Sequence, residues 1–391
     1  MIWLKIIVTP YRANGSGMTT YSEYLAMALS KAGAEVSVIG FGPEPKFIQS
    51  WDIHYVNLGD DPEFLNYLGG PALTYLYIRK KVANLLEHLS RDVEIINFTY
   101  PGATTRSKNT KTLTTAWGYS TPLESISDLK LNVSPKIYSL AALNYFEHYF
   151  MDKGAYARSD AIIGTTSETV KFWKMRVKGL EGKYLPVPVE YEPVDFLKIE
   201  INADEKVNFL MGERDLDRPR NNVIPCLNAF EVLYKRGLNN FCLSLVGKAG
   251  YRTFPVIHRM KNLGVDVRLY EYMDKVSFRA LLDQNDVALI PRHIKDQGGY
   301  WPLEAMAKGS CAIALRTPAF EDFVIDGESG ILVDSSSLND IAQAIGRLLI
   351  DYDFLNRLKK GALAQIEKTH SLKASGLAYL NYYRYVLENC Q

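Results

Sequence analysis

Lys5-Ile-Ile-Val-Thr9, a loop carrying Gly15 and Gly17, the run Thr19-Thr-Tyr-Ser-Glu-Tyr-Leu-Ala-Met-Ala-Leu-Ser-Lys-Ala32, then Gly33 and Glu35-Val-Ser-Val-Ile39 open the chain. The first segment is a short apolar run of strand type. Tyr21, Tyr24, Leu25, Ala28 and Leu29 recur three and four apart, which predicts a helix. Gly33 suits the position that ends it. Glu35 to Ile39 predicts a second strand. Strand, helix and strand in that order imply parallel pairing through a right-handed crossover.

The alternation continues outward from this unit. Val93 to Phe98, Thr112 to Thr115 and Ala161 to Gly164 read as strands, and Ser134 to Tyr156 as an aromatic-rich helix. Tyr184 to Pro193 holds three prolines, which stiffen extended chain and suit a linker. Strand-like runs then restart at Val207 to Met211, Phe241 to Val246, Val265 to Tyr270, Val287 to Ile290, Ala312 to Leu315 and Gly330 to Val333. The expected fold is α/β: two doubly wound, Rossmann-like domains, 1–188 and 195–371, facing an interdomain cleft. A chain of 391 residues is long enough for both.

Bulk composition bounds the function. Hydrophobic residues make up 47% and charged residues 23%, as in a soluble globular protein. A net charge of +1 makes no global case for nucleic acid. Cys226, Cys242, Cys311 and Cys390 are scattered, without C-x-x-C spacing, and read as reduced thiols of a cytoplasmic protein. Met1 to Pro10 reads as a strand rather than a leader, since it has no basic start and no small-residue cleavage site. No apolar run approaches the ~20 residues of a membrane span.

The chemistry concentrates in Asp296-Gln-Gly-Gly-Tyr-Trp-Pro-Leu-Glu304-Ala-Met-Ala-Lys-Gly309. Two carboxylates flank Gly298 and Gly299, where backbone approaches a ligand closely for want of a Cβ. Pro302 suits a first helical turn, Leu303 to Lys308 is helix-forming, and Gly309 ends it. The result is a glycine loop feeding a helix start, which offers free N–H groups to an anion.

This stretch resembles the Glu-x7-Glu signature of the retaining family-4 glycosyltransferases of the GT-B fold, with Asp296 in place of the first glutamate. Glu321-x5-Gly327-Glu-Ser-Gly330-Ile-Leu-Val333 is similar as well. The resemblance implies transfer of a sugar from a nucleoside-diphosphate sugar to a glycan, lipid-linked or small-molecule acceptor. It implies retention of configuration, with the donor as co-substrate and with neither cofactor nor metal. Glu304 would hold the ribose and Asp296 the transferred sugar. The C-terminal helix over 372–391 would pack back on the first domain.

Four further loops can be placed beyond strand carboxyl ends, where open parallel sheets bind ligands. Asn14, Gly15 and Gly17 follow the first strand, facing donor and acceptor by the resemblance. Gly212, Arg214, Arg218 and Arg220 follow the first strand of the second domain, and the arginines suit a diphosphate. The family's lysine there falls near Asn221. Gly247 and Lys248 end the next strand, with Gly247 beneath the nucleotide. Trp117 stands where relatives carry a histidine, and walls a sugar pocket rather than moving a proton. With Gly298, Gly299 and Tyr300, these complete the candidate site. No His, Cys and acid cluster has metal spacing, and no G-x-S-x-G elbow is present.

A non-catalytic sugar-nucleotide or glycan-binding protein on the same fold is the alternative reading; Asp296 and Trp117 are the changes such drift would leave. Tyr75-Leu-Tyr-Ile-Arg-Lys-Lys81 mixes aromatics with adjacent cations, the pattern of a weak peripheral contact at the inner membrane surface. The commoner reading of that segment is a helix with a solvated basic side.

Overall fold

The computed structural model describes residues 4–12, 17–61, 65–89, 93–118, 146, 148–218, 221–292 and 300–390. The chain divides into two compact units: Met1–Pro188 with Ser371–Gln391, and Val189–His370.

In the first unit, β1 (Lys5–Arg12), β2 (Glu35–Phe41), β3 (Ile53–Asn57), β4 (Ile95–Phe98), β5 (Lys111–Ala116), β6 (Ala161–Gly164) and β7 (Glu181–Tyr184) form a seven-stranded sheet. Its order is β3-β2-β1-β4-β5-β6-β7, with every neighbouring pair parallel. Strand order reverses between β1 and β4, so the carboxyl ends of those two strands bracket a crevice. Helix α1 (Gly17–Lys31) follows β1 and α2 (Leu65–Leu89) follows β3. Ile78, Val82 and Leu86 of α2 pack on Ile7, Ile39, Phe41, Ile96 and Phe98 of the sheet.

The C-terminal helix, Leu372–Asn389, packs along α1. Gly376 makes that contact close: a Cβ there would sit 2.0 Å from the Ala28 carbonyl oxygen. The Tyr21 and Tyr379 hydroxyls then meet at 2.9 Å inside the interface. The expected helix over 134–156 is described only in part, as helix over 148–157.

The second unit repeats the architecture. β8 (Val207–Asp215), β9 (Phe241–Lys248), β10 (Val267–Tyr270), β11 (Val287–Ile290), β12 (Cys311–Leu315) and β13 (Gly330–Val333) form a parallel sheet in the order β10-β9-β8-β11-β12-β13. Its switch point lies between β8 and β11. Phe209, Phe230 and Phe241 interlock in the core, with ring centroids 4.9 to 6.4 Å apart. At the opposite, amino ends of these strands, Lys359 Nζ binds Asp286 Oδ1 at 2.6 Å and the Ile199 carbonyl. Asp286 Oδ2 also accepts from the Asn208 backbone and amide. This buried charge is paired and hydrogen-bonded, as burial requires.

Two edge strands, β3 and β7, have no counterpart in the expected set. β8 also runs further than Met211: it continues through Gly212 to Asp215, with a register irregularity after Gly212. The segment expected as loop therefore begins as strand.

Candidate functional site

The switch point of the second unit holds a built pocket. Glu213, Arg214, Asp215, Arg218, Asn221 and Arg292 line a cavity of about 230 Å³. The extension of β8 supplies the first three. Strand alternation points successive side chains to opposite sides, so Glu213 is buried while Arg214 is exposed. The inward carboxylate meets Arg292, directly beyond β11: Nη1 to Oε2 is 2.8 Å, with side chains 15% and 5% exposed. The Arg292 Nε is buried and, among the described residues, has no hydrogen-bond partner.

Gly247 allows β9 to come alongside. It holds φ at +138°, and a Cβ would lie 1.6 Å from the Glu213 carbonyl oxygen. Any other residue would push the two strand ends apart at the pocket floor.

The loop after β8 is held on three sides. Leu216 is buried in the hydrophobic core. Asp217 accepts from the backbone N–H groups of Gly250, Arg252 and Thr253 and from Thr253 Oγ1, all within 2.5 to 3.1 Å. Partial burial opposes ionisation of Asp217, but the bond from Thr253 Oγ1 and those three N–H groups outweigh it and hold the carboxyl below its ordinary range. Asn221 donates to the Asp215 carbonyl at 2.9 Å, and Asn222 to the Pro291 carbonyl at 2.8 Å. Asn221 thus braces the loop.

Arg218 touches Asp215 at 3.5 Å, with both side chains about half exposed. Such a pair is weak, so the Arg218 guanidinium can turn to an anion. Lys248 ends β9 and is exposed.

The helix Trp301–Ala307 starts beside Gly212: a Cβ on Gly212 would sit 3.4 Å from the Trp301 indole. Trp301 Nε1 is buried, with no hydrogen-bond partner among the described residues. Glu304 is three residues on, hence on the same helix side, and is half-buried. Tyr300 stands directly before the helix. Asn14, Gly15, Arg220, Asp296, Gly298 and Gly299 lie outside the described residues. Gly17 is placed as the first residue of α1.

In the first unit, the carboxyl ends of β1, β4 and β5 gather a different set. Arg12 is buried and grips Asp61 twice, Nη2 to Oδ1 at 2.6 Å and Nε to Oδ2 at 3.0 Å. Its guanidinium lies 5.9 Å from the Tyr100 ring centroid. Trp117 donates from Nε1 to the Thr99 carbonyl at 2.7 Å and meets Tyr21 edge-on at 4.8 Å. The indole is thereby fixed and half-buried, as a pocket wall needs to be.

The sequence reading did not include Arg292, Glu213 or Arg12. For Arg292 a signal existed, since Pro291-Arg292 directly follows a strand at the switch point. For Glu213 none did, because its partner is far away in the chain. Among the described residues no group of His, Cys, Asp and Glu is arranged to hold a metal ion.

The fold is GT-B: two doubly wound parallel-sheet units, the second with a cationic pocket at its switch point. Residues 198–365 match the family described as Glycosyl transferases group 1, a match that lies within the second unit. A D-inositol 3-phosphate glycosyltransferase of Acidothermus cellulolyticus is 38% identical over 84 residues, 22% of this chain and 18% of the relative. Less than half the length of each curated relative is matched. The sucrose-phosphate synthase of Thermosynechococcus elongatus superposes with a TM-score of 0.66 at 18% identity, over 99% of this chain and 100% of that one. Anabaena HepE in complex with UDP and glucose gives 0.64 at 12% identity, over 98% and 100%. These structures share the fold.

Proposed function

We propose that the protein moves a sugar from a nucleoside-diphosphate sugar to a glycan, lipid-linked or small-molecule acceptor, with retention at the anomeric carbon. The observation that carries this is the arginine-lined pocket at the switch point of the second unit, inside the segment that matches the transferase family. A diphosphate departs with negative charge, and Arg214, Arg218 and Arg292 are the cations on hand to receive it. Preorganised donors of this kind are worth ~3–4 kcal/mol each in the transition state. The structure of HepE with UDP and glucose supports the choice of donor class.

Glu304 takes the nucleotide ribose and Asp296 the transferred sugar, with Gly298 and Gly299 close to the phosphates. Gly247 shapes the floor and Lys248 borders it. The anomeric carbon–phosphate bond breaks as the acceptor oxygen bonds to the same face, and the acceptor proton passes to the departing phosphate. That route balances without a protein nucleophile, a cofactor or a metal. Trp117 and Asn14 take the acceptor side in the first unit.

Thermal melting against a panel of nucleoside diphosphates tests donor binding, because a ligand of the native state raises the transition by mass action. One diphosphate should stand out, and a flat panel would remove the reading. With that donor in hand, Glu304→Ala should lose transfer while retaining the melting temperature. Full activity in the variant would take Glu304 out of the site.

A further inference from the structure

On the flank of the first unit, two arginines from different helices come together. Tyr75 of α2 packs on the short helix Pro101–Ala103, where a Cβ on Gly102 would sit 2.6 Å from its ring. Arg79 is one turn further along α2, hence on the same side, and is half-buried. Arg158 arrives from the other direction, half-buried, just past the helix over 148–157. Its Nε donates to the Thr104 carbonyl at 3.2 Å. The two guanidiniums thus flank the segment from Gly102 to Thr104. The Thr104 hydroxyl meets that of Thr114, midway along β5, and Arg158 leads into the amino end of β6. This place is separate from the strand carboxyl ends where Arg12 and Trp117 stand.

Burial lowers the Arg158 guanidinium, and the charge of Arg79 lowers it further. Two like charges therefore act on each other in partly dry surroundings. The acids on the elements around them are engaged or distant. Glu87 lies about two turns along α2 from Arg79. Asp160 accepts from the Thr112 backbone at 2.7 Å and sits 3.7 Å from Lys111. Burial pushes the Asp152 carboxyl up to about 7. The end of the helix before Arg158 offers at most about half a negative charge. A guanidinium has five N–H donors, and among the described residues only the Nε of Arg158 has a partner. Gly154, one turn back, keeps one edge of that guanidinium open: a Cβ there would lie 3.2 Å from Nη1. Glycine weakens a helix interior, and its use here leaves room for a ligand.

We infer that Arg79 and Arg158 together bind a phosphate dianion, free or as a monoester, on the flank of the first unit. Guanidinium groups present paired N–H donors to phosphate oxygens, and one dianion balances both cations. A monovalent anion would leave one of them unbalanced. The inference does not depend on glycosyl transfer, and neither donor nor acceptor enters its test.

The full chain is titrated calorimetrically with inorganic phosphate and with glycerol 3-phosphate, and its melting is followed in each against sodium chloride of matched ionic strength. Both phosphates should bind and should raise the melting temperature where chloride does not, since they favour the native state. Arg79→Gln and Arg158→Gln should each weaken binding about tenfold or more, the share of one charge-assisted contact. Arg218→Gln, in the second unit, should keep it. Arg79 makes no hydrogen bond among the described residues, so Arg79→Gln serves as the test even if Arg158→Gln fails to fold. Tighter binding of glycerol 3-phosphate would mark a monoester as the ligand, and equal binding the phosphate group alone. Absence of binding by either anion overturns the inference, as does native affinity in Arg79→Gln. So does binding that is lost in Arg218→Gln and kept in Arg79→Gln, which would put the phosphate in the nucleotide pocket.

Discussion

Replacing Arg292 separates two roles that the pocket assigns to one side chain. Its ion pair with Glu213 is short, 2.8 Å, and its members are 15% and 5% exposed. Removing one member of a buried pair leaves an uncompensated charge and costs about 3–5 kcal/mol. Arg292→Met removes one counter-charge of Glu213 and belongs near 3 kcal/mol, the low end of that range. Glu213→Gln strands a cation that retains some solvent, for about 2 kcal/mol. The double variant removes both charges together and should cost about 2 kcal/mol rather than the sum, a coupling near 3 kcal/mol. Urea denaturation of the four proteins measures that cycle. Nucleotide binding should follow a different pattern. Losing a charge-assisted contact to phosphate costs about 1.5–3 kcal/mol, so Arg292→Met should weaken nucleoside-diphosphate binding by about 10- to 150-fold. Glu213→Gln should leave affinity intact or improve it, because it removes an anion competing for the guanidinium. Calorimetry with the nucleoside diphosphate that raises the melting temperature most reads both. Coupling under about 0.5 kcal/mol would refute the buried pair, and equal loss of affinity in the two single variants would make Arg292 a structural residue only.

Gly247→Ala should lower stability by about 3 kcal/mol or more, from backbone strain at φ +138° together with the clash at the Glu213 carbonyl; an unchanged urea midpoint would contradict the close approach of β8 and β9. Asp217 is held below its ordinary 3.8 in the folded protein, so its contribution is full above that pH and is lost as pH falls through the lowered value. Asp217→Asn should remove that share of acid sensitivity, seen as a shallower loss of melting temperature between pH 5 and 3. Native titration with a thiol reagent should modify Cys390, which is partly exposed, and spare Cys226 and Cys311. Burial pushes both of those thiols up, Cys311 to about 12, and fast reaction of either would place it at the surface.

The interior strands were legible because a buried parallel strand writes itself as an apolar run: Ala161–Gly164, Val287–Ile290 and Gly330–Val333 begin and end where their composition says. The edge strands were not. Ile53–Asn57 has one buried residue, and Glu181–Tyr184 has none. Both are held by backbone pairing to β2 and β6, and pairing leaves no mark on local composition. The same holds for the last residues of β8. The apolar pattern stops at Met211, yet Asp215 still pairs with Lys248 of β9, and an arginine 79 positions along the chain compensates the buried glutamate between them. No local spacing encodes such a partnership. The switch-point rule located the region of the site; it could not say which strand end would supply the cation.

One consequence of the loop chemistry bears on how the pocket binds an anion at all. Helix starts are the usual phosphate cradles of this architecture, because their first N–H groups are unfilled. At Thr253–Asn262 that cradle is already occupied: the Asp217 carboxylate accepts from Gly250, Arg252 and Thr253, and a carboxylate cannot share those donors with a phosphate. On this side of the pocket nucleotide phosphates are then met by side chains, and three arginines line it. Guanidinium groups at partly exposed positions respond to salt, whereas backbone donors are fixed in place and carry no net charge. Nucleoside-diphosphate affinity should therefore fall steeply with ionic strength. In Arg218→Gln that slope should become shallower, while Asp217→Asn, which loosens the loop and uncovers the helix start, should make binding less dependent on the arginines. A salt-independent affinity in the native protein would mean that backbone groups, not Arg214, Arg218 and Arg292, hold the diphosphate.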